Sequence, residues 1–182
     1  MTDTIITDLD EVLRLAFERR EEFDAMCASL DAETDSRFSD EELDALVEEI
    51  ATPIVAAIDC KQCANCCRAL DVCLVPTDLD GLSTALHIPI EDVVVNYVDE
   101  EAAKVHGEWA VISSKPCPLL HGNLCSIYAH RPHSCRIYPK FTPDFRYNMD
   151  DTIASSYYCP IVYNTLSTLA ERIESLPPAE EE

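Results

Sequence analysis

Cys60, Cys63, Cys66 and Cys67 fall in one short run, Cys60-Lys-Gln-Cys63-Ala-Asn-Cys66-Cys67, and no other feature restricts the chain as much. Core packing does not call for four thiols in eight residues. Two consecutive C-x-x-C steps turn the backbone so that successive sulfurs can point at one centre, and thiolates bind soft and borderline metals strongly. Zinc knuckles use the C-x-x-C pair, and iron–sulfur proteins use C-x-x-C-x-x-C to lay three thiolates around a cluster. Cys60, Cys63 and Cys66 have the second spacing. Zinc knuckles favour glycine after the second cysteine, and residues 60–67 contain none. Zinc and an iron–sulfur cluster therefore both remain open.

The other sulfurs are spread downstream as Cys73, Cys117, Cys125, Cys135 and Cys159, with Cys27 alone near the start. Cys60, Cys63, Cys66 and Cys135 make the preferred first centre. Cys67, Cys117, Cys125 and Cys159 could form a second or support the first. Adjacent side chains diverge, so Cys66 and Cys67 are expected to face different ways. Cys27 lies on an apolar helical stripe and reads as core. His133, two residues before Cys135, is a further candidate ligand. Arg131 and Arg136 either stand beside the thiolates, as a second shell or an anion site, or pair with the acidic N-terminal hairpin. Tyr128, Tyr138, Tyr157 and Tyr158 are expected to cover the centre.

A net charge of −22 over 182 residues sets the wider context. Residues 1–59 hold 18 acids and 4 bases, and only four of the thirteen bases are lysine. Such a surface suits a high-salt cytoplasm, where screening shortens the Debye length to about 3 Å at 1 M. It opposes nucleic-acid binding. The acidic N-terminus lacks the pattern of a secretory leader, and no apolar run approaches the roughly 20 residues of a membrane span. A cytoplasmic protein with reduced, metal-binding cysteines is expected, in preference to a disulfide framework. Three glycines leave no room for a phosphate-binding G-x-G-x-x-G or P-loop.

Apolar periodicity predicts a helix over 8–30. Ser39-Asp-Glu-Glu42 is a capping box opening a second helix that Pro53 extends or interrupts. Short strands are predicted at 72–75 and 109–113, and helices at 78–86, 90–99 and 161–176. A turn at His121-Gly122-Asn123 lets Cys117 and Cys125 face each other across a hairpin, and 126–145 reads as short turns and loops. The fold class is α-rich α+β: an acidic helical hairpin (1–58), then a small irregular metal-stapled cysteine domain with short strands (59–176), then an acidic tail (177–182).

The run Cys60-x-x-Cys63-x-x-Cys66-Cys67, with Cys117-Pro, Cys125-x-Ile-Tyr128, Arg131-Pro132 and Cys135-Arg136-x-Tyr-Pro139, resembles the CxxCxxCC cysteine-cluster family. That family is also called YkgJ-like, a zinc- or iron-chelating domain. The resemblance spans about residues 58–162. It implies a zinc site or an iron–sulfur cluster of the 4Fe–4S type. Through the related flagellin lysine N-methylases it also points to a second reading, an iron–sulfur-dependent oxidoreductase or protein methylase. A third reading is a zinc-stabilised module that binds another protein through the acidic hairpin. No radical S-adenosylmethionine motif is present, because position 70 is leucine.

Overall fold

The structure is a computed structural model and describes residues 5–31 and 37–176. Tail residues 177–182 lie outside the described residues. The protein is an α-rich α+β fold, 61% helical and 7% strand, with two small antiparallel sheets. It forms two compact units: a helical unit of residues 1–59 and 139–182, and a cysteine unit of residues 60–138. Segment 139–176, grouped with the cysteines in the sequence reading, lies in the unit that holds the N-terminal helices.

The helical unit begins with α1 (Leu9–Glu18) and α2 (Arg20–Ser29). Asp8 caps α1 by accepting the Glu11 N–H at 2.9 Å. The single helix expected over 8–30 is broken at Arg19, but the apolar stripe continues through Val12, Ala16, Phe23, Met26 and Leu30, all buried. α3 (Asp40–Ala57) opens on the capping box, with Ser39 and Glu42 bonded reciprocally to each other's backbone N–H groups. Pro53 lies inside α3 and does not end it. It removes one internal hydrogen bond, while Leu43, Val47, Ile50 and Ile54 on the buried face hold the helix together.

Two later helices complete this unit. α10 (Met149–Ser156) had no counterpart in the sequence reading, and α11 (Pro160–Glu174) places proline in its first turn, where no donor is lost. α11 packs against α3 and α10. Asn164 on α11 clasps the Ile6 backbone, accepting its N–H at 2.9 Å and donating to its carbonyl at 2.8 Å. A polar knot ties the α10 approach to α3. Buried Arg146 donates to Asp40 at 2.7 Å, to the Phe38 carbonyl at 2.7 Å and to the Leu30 carbonyl, and Asp44 accepts the Asp144 and Phe145 N–H groups.

The cysteine unit is built on β1 (Val72–Leu74) paired antiparallel with β2 (Ala110–Ile112), Val72 opposite Ile112. Between them run α6 (Asp78–Leu86), α7 (Ile90–Tyr97) and the short α8 (Glu100–Ala103). The predicted turn closes a hairpin of β3 (Leu120–His121) and β4 (Leu124–Cys125), with Gly122 at φ +63 where a side chain would be strained. A 3₁₀ turn (Tyr128–His130) and α9 (His133–Ile137) follow. Val72, Leu74, Leu82, Val93, Ala110, Ile112, Leu119 and Ile127 form the core of this unit. Among the described residues no helix is long and apolar enough to cross a membrane.

Candidate metal centre

The cysteine run folds as two helical turns, α4 (Cys60–Cys63) and α5 (Cys66–Ala69), not as an open loop. Ala64 joins them at φ +50. This is the residue after the second cysteine, where knuckle turns favour glycine. The chain adopts the left-handed conformation there without one, at a cost of roughly 1–2 kcal/mol. Arg68 and Asn123 brace the bend. Arg68 donates to the Cys63 carbonyl at 2.8 Å, to the Gly122 carbonyl at 3.3 Å and to the Asn123 side chain. Asn123 in turn donates to the Gln62 carbonyl at 2.7 Å. The first cysteines are thereby pinned to the β3–β4 turn.

Cys67 influences the thiols of three other cysteines. Its carbonyl accepts the Cys117 N–H at 2.8 Å. Its thiol is pulled down from 9.0 to about 6, chiefly by a hydrogen bond from the Cys66 thiol, against burial, with help from the positive fields of Arg131 and Arg68. The two neighbouring side chains thus meet, contrary to the divergence expected for them. Cys117, Cys125 and Cys135 are shifted the other way, each chiefly by burial, and Cys67 is the largest thiol influence on all three. Cys135 reaches about 12. Two backbone donors oppose burial: the Leu119 N–H bonds to Cys117 and the Ile127 N–H bonds to Cys125. Both sit two residues past their cysteine, so the hairpin serves its two thiols in the same way. Cys67, Cys117, Cys125 and Cys135 also lie against the unit's apolar core.

The structure therefore sets Cys135 among Cys67, Cys117 and Cys125. Cys60 begins α4 and is exposed, and Cys63 ends it half-buried. Cys159 belongs to the helical unit, as the residue capping α11. Cys27 is in that unit too, its thiol raised to about 12 mainly by burial. His133 has an exposed side chain, and its backbone N–H donates to Asp78 at 2.9 Å. Asp78, buried, also accepts the Val75 N–H at 3.0 Å, which hangs the Cys135-bearing α9 from the end of β1. Of the four tyrosines, Tyr128 and Tyr138 lie in the cysteine unit, whereas Tyr157 and Tyr158 belong to the helical unit, Tyr157 edge-on to Phe17.

The donor set suits a soft or borderline cation: sulfur only, shielded on one side by apolar groups, with backbone N–H groups aimed at two sulfurs. Among the described residues, no three Cys, His, Asp or Glu side chains are drawn together into a single-ion ligand group. The thiols share one electrostatic neighbourhood, and deprotonation must accompany any closer approach. An open hollow of about 560 Å³ beside α7 and β2, lined by Tyr97, Asp99, Ile112 and Ser113, holds no cysteine. Asp99 there accepts from the Ser113 hydroxyl at 2.9 Å.

A family model matches residues 59–160, and its description reads "Putative zinc- or iron-chelating domain". The chain belongs to this CxxCxxCC family. No curated protein and no solved structure matches it.

Proposed function

We propose that the cysteine unit chelates zinc or iron through Cys67, Cys117, Cys125 and Cys135, with Cys60, Cys63 and Cys66 supplying further thiols on the segment braced by Arg68 and Asn123. The observation that carries this reading is that Cys67, Cys117, Cys125 and Cys135, buried or half-buried, pack on one apolar core, with the Cys67 carbonyl accepting the Cys117 N–H and Cys67 the leading thiol influence on the other three. The family match supports chelation as the activity. It lends nothing to the oxidoreductase, methylase or interaction-module readings.

Bound metal would supply Lewis acidity or, as an iron–sulfur cluster, redox capacity. The protein's own groups manage charge and protons. Cys67 offers a ready thiolate at neutral pH because Cys66 donates its S–H to it. The Leu119 and Ile127 N–H groups favour the thiolate forms of Cys117 and Cys125. Cys135 holds its proton most tightly and releases it only to a competing cation. Arg131 and Arg68 offset the negative charge that accumulates.

Anaerobic purification followed by counting of zinc, iron and sulfide per chain tests this reading. Stoichiometric zinc in a colourless protein identifies a zinc site, and iron with sulfide and visible absorption identifies a cluster. Cys67→Ser should reduce metal to background, whereas Cys27→Ser leaves it unchanged. Absence of metal in anaerobic, metal-supplemented preparations would refute chelation.

A further inference from the structure

Cations gather where the thiols are. Residues 60–70 and 109–138 contain five Lys or Arg and no Asp or Glu, in a chain of net charge −22. Two of the five are occupied inside the unit. Lys115 pairs with Asp71 at 3.2 Å, and Arg68 is spent on the carbonyls and amide described above. Arg131 and Arg136 are held differently. Arg131 lays its guanidinium on the Tyr128 ring, 3.7 Å from the centroid, and turns its Nε to the Tyr128 carbonyl at 3.1 Å. Stacking and that one bond fix the guanidinium plane and engage its Nε, not its terminal NH₂ groups. Arg136 uses one terminal nitrogen on the Arg131 carbonyl at 2.6 Å, which holds the second guanidinium against the backbone of the first arginine. Lys61 adds a third cation over the same ring, 5.1 Å from its centroid. Within the cysteine unit neither arginine has a carboxylate at ion-pair distance.

We infer that Arg131, stacked on Tyr128, and Arg136, held at the Arg131 carbonyl, form a binding site for a small oxyanion: a carboxylate or phosphate group of a low-molecular-weight ligand. Two guanidinium groups, one stacked on Tyr128 and one held at the Arg131 carbonyl, offer a single such group bidentate partners from one short segment. An acidic macromolecule fits less well, because it would meet the −22 surface beyond the patch. The site is formed by the two arginines and stands whether or not the thiols carry metal.

Isothermal titration of the purified full-length protein with inorganic phosphate, and separately with succinate, tests the inference at fixed ionic strength. Metal content is measured on every sample, so that failure of chelation and failure of anion binding are seen separately. Saturable binding of either probe is expected. Phosphate alone marks a phosphate-bearing ligand, succinate alone a carboxylate-bearing one, and both mark the shared chemistry. Arg131→Gln and Arg136→Gln should each weaken binding at least about tenfold. Arg131→Lys keeps the charge but loses the fork, and should fall in between. Lys104→Gln removes a same-unit cation already paired with Glu101 at 2.7 Å and should leave binding within about twofold. The inference is overturned if neither probe saturates, if both glutamine variants bind like the wild type, or if Lys104→Gln weakens binding as much as they do.

Discussion

Cys66 makes Cys67 acidic, and removing that hydrogen bond has a calculable consequence. With its thiol near 6, Cys67 is about 90% thiolate at pH 7, whereas a cysteine at the ordinary 9.0 is about 1% thiolate. That roughly 90-fold advantage in population is offset by lower intrinsic nucleophilicity. With a Brønsted slope of about 0.45, three pH units cost a factor of about 20. Cys67 should therefore react with an aromatic disulfide at pH 7 only about fourfold faster than an unperturbed thiol. The pH profile discriminates better than the rate. Reaction at Cys67 should level off above pH 7, while an ordinary thiol still gains about tenfold per unit. Cys66→Ala removes the largest stabilising influence and should move the Cys67 midpoint well above 6, leaving only Arg131 and Arg68 against burial. Timed quenching of metal-free protein over pH 5–9, with peptide mass mapping, reads each cysteine separately. A wild-type Cys67 midpoint at 8 or higher, or a midpoint unmoved by Cys66→Ala, refutes the assigned hydrogen bond.

Three further outcomes follow from the geometry. Arg146→Met strands the Leu30 and Phe38 carbonyls and the Asp40 carboxylate. Because Asp40 is partly solvated, the loss should lie near the lower end for a broken buried pair, about 3 kcal/mol, read by urea unfolding. Ala64→Gly relieves a left-handed alanine and should hold or raise stability, whereas Ala64→Val, β-branched at φ +50, should lower it by more than about 2 kcal/mol in the same assay and lower metal content too. In metal-free protein, the raised thiols of Cys135 and Cys27 contribute stability that is complete below 9.0 and is lost as pH rises toward 12. The lowered Cys67 thiol acts oppositely, contributing fully above 9.0 and losing its effect as pH falls through about 6. Thermal melts at pH 8 and 11 should show the alkaline loss, and Cys135→Ala should reduce it.

Elements defined by local chemistry were legible in the sequence. The Ser39–Glu42 box, the turn at Gly122 and the strand opposite residues 110–112 each depend on residues close in sequence or on simple alternation. The break at Arg19 was hidden because Phe23 and Met26 resume the stripe that Val12 and Ala16 begin. α10 was hidden because Met149–Ser156 is rich in Asp, Thr and Ser, poor helix formers, and is held by its surroundings, including the Arg146 knot at its approach. The site was half-legible. Spacing points to the cysteines as candidate ligands but not to which segments meet: Cys135 packs against the same core as Cys67, Cys117 and Cys125, while Cys159 caps α11. The donors at Leu119 and Ile127 had a readable sign, an apolar residue two places after each hairpin cysteine. The Asp78 bridge to α9 had none, because a buried carboxylate between two backbone donors looks, in sequence, like any helix-capping aspartate.

The helical unit is discontinuous in the chain, and this bears on how it assembles. Asn164 reaches back 158 residues to Ile6, and Arg146 reaches 116 to Leu30, across the whole of segment 60–138. If that segment were a random coil, closing it would cost about 4 kcal/mol in chain entropy. Ordering the insertion first removes most of that cost, because its two ends then emerge from one folded body. The helices, which contain none of the proposed ligands, would thus gain stability from the cysteine unit through connectivity alone. A cation bound by the thiols would act on both units: directly on one, and on the other by shortening the loop it must close.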